Sequence, residues 1–502
     1  MKTARFKTRL VVALVALWNV AALFAQAAEP LRLHPDNPHY FLFRDKPTIL
    51  ITSGEHYGAV LNLDFNYVPY LDELRKNRFN QTRTFSGTYI EPADLSVEGV
   101  QLLGSTLSPL KPERYCSPWL RSSTPGAGDV GNKFDLTKWN PEYFTRLKDF
   151  IAQAGERGIV VEFVLFCIFY GEVGDETFWK LSPLKAGNNV QGIGTVPHQQ
   201  ALALKDPELT AVQEAFVRKI VAELKDFDNL YYEICNEPYT GVTREWNDRM
   251  VAVIVEVEKA FPHKHLIAQN IANGIQPDGS SKIRQPNPHV SVFNFHYSVP
   301  PDVVAMNYDL NKPIGDDETG FRGTADEPYR TEGWDFLIAG GAVYSNLDFT
   351  FSLTRPAGDG PSIFDKTGGG PKLRDQLRIL KEFMDGLDFI KMKPNDAVIK
   401  TSRFAGPQAA SPPVKPTARA LAEPGKAYAI YLRGGDQAEL VLDLPAGDYR
   451  AEWVNTKTGK IDKTEDLQTA GGDQTLKSPA YAEDIALRLM RKLKSDKSPR
   501  SE

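Results

Sequence analysis

Short apolar runs alternate with amphipathic segments through most of the 502-residue chain. Polar or turn-forming residues bound each run, which predicts strands covered on both faces, as in a parallel sheet. Between the runs, apolar residues recur at helical spacing, for example Val68, Leu71 and Leu74. The eight predicted strands are 47–52, 80–85, 159–166, 230–235, 265–270, 289–295, 312–318 and 342–349.

This alternation of strands and helices predicts an α/β fold, a (β/α)8 TIM barrel rather than an open doubly wound sheet. No glycine-rich phosphate loop follows an early strand, which argues against a nucleotide-binding fold. A short hairpin beginning at residue 39 precedes the barrel, and the predicted barrel domain spans 29–395. Two long loops are predicted over 86–132 and 170–201, and the first is rich in Pro, Ser and Gly. Loops of this length are expected to build a binding surface above the barrel.

Beyond the barrel the pattern changes to short strands with turn sequences between them. The runs 427–432, 438–442 and 449–454 are separated by Gly-Gly-Asp and Pro-Ala-Gly-Asp turns. This punctuation is typical of a β-sandwich, which we predict over 396–491. The basic tail, 492–502, is predicted to be disordered.

The first 28 residues have the pattern of a cleavable signal peptide. Four basic residues precede an apolar run over 10–24, and Ala-Gln-Ala at 25–27 fits a cleavage site. We therefore expect a secreted or periplasmic protein. No later stretch reaches the ~20 apolar residues of a membrane span, so no membrane association is expected after cleavage.

Charge and cysteine content narrow the possible partners. Loss of the four basic residues of the signal would change the formal net charge from −5 to −9, and an acidic protein is a poor nucleic-acid ligand. Three cysteines (Cys116, Cys167, Cys235) make no disulfide framework and are expected to be buried thiols. No CxxC or HExxH spacing occurs, so neither a metal nor an organic cofactor is predicted.

A candidate catalytic carboxylate ends the fourth predicted strand. The run beginning at Leu230 stops at Asn236-Glu237-Pro238, because proline cannot donate a ladder hydrogen bond. Glu237 is therefore expected at the carboxyl end of a barrel strand, where the active sites of α/β barrel enzymes lie. A surface glutamate in a strand-to-helix loop is the alternative.

A second carboxylate ends the seventh predicted strand. Glu318 closes the acidic group Asp316-Asp317-Glu318, which precedes Thr-Gly. A solvated acidic turn or a calcium site would give the same local pattern. If the group is catalytic, Glu318 is the first candidate and Asp317 the second.

The Asn-Glu-Pro triplet and the acidic end of strand seven resemble the retaining glycoside hydrolases of clan A, including family 5 cellulases and mannanases. The resemblance covers roughly residues 40–390 and implies that Glu237 is the acid/base and Glu318 the nucleophile. It also implies a carbohydrate substrate bound by side chains at other strand ends. These are Asn236 for the sugar 2-hydroxyl, His296 and Tyr297 beside the two carboxylates, and Arg83 beside the nucleophile.

Further contacts are weaker inferences from the same resemblance. Glu55, His56 and Tyr57 follow the first strand and are candidate subsite residues. For Asn346 or Asp348 two roles are open, a sugar contact and strand-end packing. Three tryptophans in the loops and helices are candidate stacking surfaces for sugar rings: Trp119, Trp179 and Trp334.

Two departures separate this chain from family 5. The third strand ends in 165–169 without the usual histidine, and the eighth ends in 344–348 without the usual tryptophan. We therefore expect an exported, family-5-like retaining hydrolase acting on O-glycosidic, β-linked bonds. A catalytically silent carbohydrate-binding surface protein is the alternative. The β-sandwich is expected to pack on the barrel or to contact carbohydrate. The sugar, endo or exo action, hydrolysis or transglycosylation, and oligomeric state stay open.

Overall fold

The computed structural model describes residues 29–97, 99–170, 178–239, 241–272, 280–406 and 415–492. The predicted signal peptide, residues 171–177 of the second long loop and the predicted tail beyond Lys492 lie outside these ranges.

Eight parallel strands form the centre of the molecule. Each strand pairs with the next in chain order from the second to the eighth, and the eighth pairs with the first. This arrangement confirms the predicted (β/α)8 barrel. The barrel strands are Leu50–Gly54, Gln81–Phe85, Val160–Cys167, Leu230–Asn236, Ile267–Asn270, Val292–His296, Ile314–Thr319 and Val343–Leu347.

The side chain of Asn80 closes the barrel between the first and second strands. Its Oδ1 accepts a hydrogen bond from the Ile51 N–H at 3.0 Å, and its Nδ2 donates to the Ile49 carbonyl at 2.9 Å. The Asn80 N–H also donates to the Ile51 carbonyl at 3.3 Å. One amide thus satisfies backbone groups that no regular ladder reaches at this seam.

Asn80→Ala is therefore expected to destabilise the protein by about 1–3 kcal/mol, because it leaves buried backbone groups without partners. The free energy of unfolding from urea titration measures this. A variant as stable as the wild type would show that water replaces the amide at this seam.

Seven helices surround the barrel in the described residues, and four of them begin with a side-chain cap. The caps are Asn66, Asn140, Asp206 and Thr243, which accept hydrogen bonds from backbone N–H groups of the first turn. None of the described helices has the length and apolar composition needed to cross a membrane. The helices are Tyr67–Lys76, Pro141–Glu156, Pro207–Leu224, Arg244–Glu258, Asp302–Asn307, Asp326–Ile338 and Pro371–Asp385.

A small antiparallel sheet precedes the first barrel strand, as the predicted hairpin requires. Its strands are Arg32–Leu33, Phe41–Phe43 and Lys46–Thr48. Arg44 at its turn donates from Nε to Asp228 Oδ2 at 2.6 Å. Because Asp228 precedes the fourth strand, the small sheet lies at the amino-terminal end of the barrel, away from the strand ends that carry chemistry.

The three tryptophans predicted as sugar platforms are buried instead, so that prediction is wrong. Trp119, Trp179 and Trp334 are each no more than 1% exposed. Trp119 begins a hairpin of Trp119–Pro125 with Asn132–Trp139, which starts in the first long loop and extends beyond it; an earlier hairpin in that loop pairs Ser96–Val97 with Val100–Gln101. At all three positions the large apolar ring stabilises the fold by being buried, and it is not exposed to a ligand.

Two antiparallel sheets follow the barrel and share a core that includes Ile430 and Leu487 from one sheet and Leu440 and Leu442 from the other. The first sheet contains Lys393–Pro394, Thr417–Glu423, Ala427–Arg433, Asp484–Arg491, Gly447–Val454 and Ile461–Thr469 in spatial order. The second contains Ile399–Ala405, Gln437–Leu444 and Gly472–Lys477.

The larger sheet packs on the helix Asp326–Ile338 of the barrel. The rings of Trp334 and Tyr431 stack with centroids 5.7 Å apart. Beside them Arg330, itself buried, donates to Asp484 Oδ1 at 2.6 Å. The contact is thus both apolar and ionic, as expected for sheets that pack on the barrel.

Candidate active site

Polar side chains from the second, fourth, sixth and seventh strands meet inside the carboxyl end of the barrel. Parallel strands in a closed barrel end at the same rim, so residues far apart in sequence converge there. Arg83 lies within the second strand, and Glu237 directly follows the fourth. His296 ends the sixth strand and Glu318 lies one residue before the end of the seventh.

Glu237 is held by three side chains in a strained backbone position. Its φ of 48° lies in the left-handed region, which is uncommon for a residue with a side chain. Tyr170 Oη donates to its Oε2, and Tyr239 Oη donates to Oε1 at 2.6 Å. His296 Nδ1 lies 3.0 Å from the same Oε1. The carboxyl group is thereby fixed while its residue stays 7% exposed.

Glu318 is bound by one guanidinium and two phenols. Arg83 Nη1 donates to its Oε2 at 3.0 Å, and Tyr57 Oη donates to the same oxygen at 3.1 Å. Tyr297 Oη donates to Oε1 at 2.6 Å. Donors on both oxygens stabilise the ionised form of a carboxylate.

The two carboxylates lie side by side. Ligating atoms of Glu237, His296 and Glu318 are all within 4.8 Å of one another, and His296 Nδ1 is 3.7 Å from Glu318 Oε1. A single imidazole nitrogen therefore faces both acids.

The protonation of this pair depends on His296. Burial alone would lower the pKa of His296, but the charges of Glu318 and Asp317 and the contact with Glu237 raise it to about 9. For Glu237, burial acts to raise the pKa, and the hydrogen bond and charge of His296 overcome this and hold it at about 2. At neutral pH the proton of the Glu237–His296 pair therefore resides on the imidazole.

A buried ionic cluster lies beneath the pair, inside the barrel. Arg83 donates from Nη2 to Glu233 Oε1, and its Nε lies 3.3 Å from Asp317 Oδ2 and 3.9 Å from Glu162 Oε2. Asn294 Nδ2 donates to both glutamates, at 2.5 Å to Glu162 and 2.9 Å to Glu233. One cation thus faces four carboxyl groups, counting Glu318.

Burial and the adjacent charge of Glu233 raise the pKa of Glu162 to about 8. Burial acts in the same direction on Glu233, but Arg83 and hydrogen bonds keep the pKa of Glu233 below its usual value. Burial and the adjacent charges of Glu162 and Glu233 raise the pKa of Asp317 well above its usual value, although the charges of Arg83 and His296 oppose this. Within the cluster, Glu162 therefore holds a proton more readily than Glu233.

Asn236 lies in the same network and is 3% exposed. Its Oδ1 accepts from Arg83 Nη2 at 2.8 Å, and its Nδ2 donates to Tyr170 Oη at 2.9 Å. The structure thus brings together Asn236, Glu237, His296, Tyr297, Glu318 and Arg83, all predicted from sequence.

Two candidate subsite residues, Glu55 and Asn346, make packing contacts. Glu55 is 2% exposed and accepts hydrogen bonds from the Gly58 and Ala59 N–H groups and from Thr106, so it anchors its own loop. Burial, opposed by the Thr106 bond, raises the pKa of Glu55 to about 7. Asn346 is fully buried and donates to Ser53 Oγ and to the Gly368 carbonyl. These contacts give both residues packing roles.

Of the remaining candidates, His56 is partly exposed and Asp348 is fully buried. The side chain of His56 is 15% exposed, and its Nε2 lies 3.9 Å from Glu91 Oε1, so it remains available to a ligand. Asp348 is fully buried and accepts from Arg374 Nη1 at 2.6 Å, which assigns it to packing.

Several site residues were not predicted from sequence. Tyr170 and Tyr239 contact Glu237 directly, whereas Glu162 and Glu233 support the site from inside the barrel. The signal for the two glutamates was present, since each is a charged residue within an apolar strand. The tyrosines carried no comparable signal, because aromatic residues are common in loops around a barrel.

Among the residues that the structure describes, two groups of three side chains come close enough to surround a cation: Glu237, His296 and Glu318, and Glu162, Glu233 and Asp317. Arg83 and His296 already supply positive charge to these groups through ion pairs. The ion pairs explain the clustering, and we assign no metal to it.

The fold has solved relatives with little sequence similarity. A structure described as a glycoside hydrolase has a TM-score of 0.57 and 13% identity, covering 92% of this chain and 97% of its own. A glycoside hydrolase family 5 structure from Bacteroides vulgatus ATCC 8482 has a TM-score of 0.59 and 13% identity, covering 92% and 93%. The sequence matches no protein-family model and no curated protein sequence.

Proposed function

We propose that this protein is a retaining glycoside hydrolase that uses Glu237 and Glu318. The observation that carries the proposal is the close approach of these two carboxylates, whose nearest ligating atoms are within 4.8 Å and share His296. Double displacement with retention needs carboxyl groups about 5–5.5 Å apart, whereas inversion needs a wider gap for water.

Glu318 is assigned the attack on the anomeric carbon. Arg83, Tyr57 and Tyr297 donate hydrogen bonds to its oxygens, which favours the ionised form that a nucleophile requires. The attack forms a glycosyl ester on Glu318 and breaks the bond from the anomeric carbon to the leaving oxygen. Both electrons of that bond go to the leaving oxygen.

Glu237 is assigned the proton transfers. In the resting enzyme the shared proton sits on His296, 3.0 Å from Glu237 Oε1. Transfer across this contact makes Glu237 a carboxylic acid, which then protonates the leaving oxygen. In the second half-reaction the ionised Glu237 takes a proton from water, whose oxygen attacks the anomeric carbon and releases Glu318.

The proposed substrate is an oligo- or polysaccharide with β-linked O-glycosidic bonds. Two exposed aromatic side chains flank the carboxylates: Tyr239, 44% exposed, contacts Glu237, and Phe321, 42% exposed, contacts Tyr297. Exposed rings are suitable stacking surfaces for sugars. We further propose export by the N-terminal signal, which N-terminal sequencing of the mature protein tests.

Hydrolysis of aryl β-glycosides and of plant and microbial polysaccharides by the mature protein tests the proposal. We expect turnover of at least one member, with the first-formed sugar in proton NMR carrying the anomeric configuration of the substrate. An inverted first product would contradict double displacement. Binding without turnover across the panel would favour the silent carbohydrate-binding protein instead.

A further inference from the structure

We propose that Asp317, which does not face the substrate, is a positioning residue that holds His296 as the proton carrier for Glu237. The inference deepens the proposed hydrolase function and rests on it. It begins from a line of contacts inside the barrel. His296 Nδ1 lies 3.0 Å from Glu237 Oε1, and its Nε2 lies 3.4 Å from Asp317 Oδ1. The imidazole therefore stands between two carboxyl groups.

Asp317 also reaches the nucleophile through a second cation. Its Oδ2 lies 3.3 Å from Arg83 Nε, and Arg83 Nη1 donates to Glu318 Oε2 at 3.0 Å. The order of contacts is Glu237, His296, Asp317, Arg83, Glu318. Each catalytic carboxylate is thus paired with a cation, and both cations are held by the same buried carboxyl group.

Asp317 has no access to a substrate, because it is fully buried and lies behind Glu318 on the same strand. Its place in the site must therefore be indirect. Its Oδ2 lies 3.3 Å from Arg83 Nε and its Oδ1 lies 3.4 Å from His296 Nε2, and these two ion-pair contacts assign a negative charge to Asp317 against the rise in pKa that burial causes. The cluster's proton is assigned to Glu162, whose nearest approach to Arg83 is longer, at 3.9 Å.

An anionic Asp317 has two effects on His296. It stabilises the imidazolium, so that a proton is available at neutral pH, and it fixes the ring with Nε2 inward and Nδ1 toward Glu237. The other charged or titratable groups around the pair come from the neighbouring strands and loops. They are Arg83, Glu162, Glu233, Glu237, Glu318, Tyr57, Tyr231, Tyr239 and Tyr297, together with Asp316 on the same strand as Asp317. Arg83 alone among these is a cation.

The direct test is the titration of His296 by NMR of ring-labelled histidine. The chain has eight histidines, so His296→Gln suffices to assign the signal. Asp317→Asn is expected to lower the pKa of His296 by about 1–3 pH units, the usual effect of one nearby charge. Asp316→Asn is the matched control, because Asp316 is equally buried on the same strand but interacts first with Glu332, and with Asp317 only as a second charge.

The same variants have an expected kinetic signature. Asp317→Asn should move the alkaline limb of kcat/KM to lower pH by the same amount, because the pair then loses its proton earlier. Saturating kcat should fall while KM stays close to the wild-type value, since Asp317 does not touch substrate. Asp316→Asn should change the pH profile and kcat much less, because Asp316 has no ion-pair contact with His296 or Arg83 in the described residues.

An unchanged His296 pKa in Asp317→Asn, or an equal change in Asp316→Asn, would overturn the assignment. If Asp317→Asn does not fold, the wild-type titration decides, because a His296 pKa at or below 6.5 contradicts an anionic partner. The titration of His296 needs no substrate. A protein that is inactive on every glycoside would therefore contradict the proposed function, while the pKa of His296 would still test the role of Asp317.

Discussion

Glu318→Ala is expected to lower kcat by on the order of 10⁴- to 10⁶-fold, because removal of a nucleophile leaves only binding and positioning. Glu237→Ala should cost about 10²- to 10⁴-fold on natural glycosides, as expected for lost proton transfer. Initial rates on the best substrate of the panel measure both effects. Asp385→Ala, which removes a carboxylate paired with Lys381 on the outer helix, is the control and should retain activity.

The two variants should also differ in their dependence on the leaving group. Glu237→Ala should recover most of the first step on aryl glycosides with acidic phenols, which depart without a proton. Glu318→Ala should gain no such advantage, because no glycosyl ester forms. Equal sensitivity of the two variants to the phenol would contradict the separate roles of acid and nucleophile.

Arg83→Met is expected to destabilise the protein by about 3–5 kcal/mol at neutral pH, because it leaves Glu233, Asp317 and Glu318 without their shared cation. Arg78→Met is the matched control. That arginine side chain is 64% exposed, and loss of its ion pair with Glu382 should cost less than about 1 kcal/mol. Urea unfolding of both variants measures the difference.

The pH dependence of the Arg83→Met deficit gives a second check. Without the guanidinium, the folded-state pKa values of the buried carboxyls rise above their unfolded values, so the folded protein binds more protons than the unfolded one. Stability then increases as pH falls. The deficit relative to wild type should be smaller at pH 5 than at pH 7.5. A deficit that grows toward pH 5 would show that the carboxyls are not the source of the destabilisation.

The barrel was predictable because its strands are buried on both faces and stand out as apolar runs. The run from Leu230 to Cys235 is an example, since it becomes a strand with every residue buried. The place of Glu237 at a strand end followed from the same logic, whereas the roles of Asn236 and His296 at their strand ends were implied by the family resemblance.

The ionic interior was not predictable, because its pairs are distant in sequence. Arg83 and Glu233 are 150 residues apart, and the sequence around either residue does not predict its partner. Asp316 and Asp317 were open to reading as a solvated acidic turn, yet both lie fully buried within the strand Ile314–Thr319. A strand that carries adjacent acids depends on cations and shared protons supplied by other strands.

The tryptophans show the converse failure. Residue type suggested exposed sugar platforms, but burial of Trp119, Trp179 and Trp334 serves packing. Among the described residues, Tyr239 and Phe321 are exposed rings beside the carboxylates. Their exposure depends on how loops that follow different strands pack together at the rim of the barrel. The local pattern of hydrophobic and polar residues does not predict this packing.

The anomeric configuration of azide products tests the roles of Glu318 and Glu237 most directly. Each alanine variant is incubated with an activated aryl β-glycoside and sodium azide, and the glycosyl azide is analysed by proton NMR. Glu318→Ala should give the α-azide, because azide enters from the face vacated by the nucleophile. Glu237→Ala should give the β-azide, because azide replaces water in the second step. The same anomer from both variants, or the reverse assignment, would contradict the account.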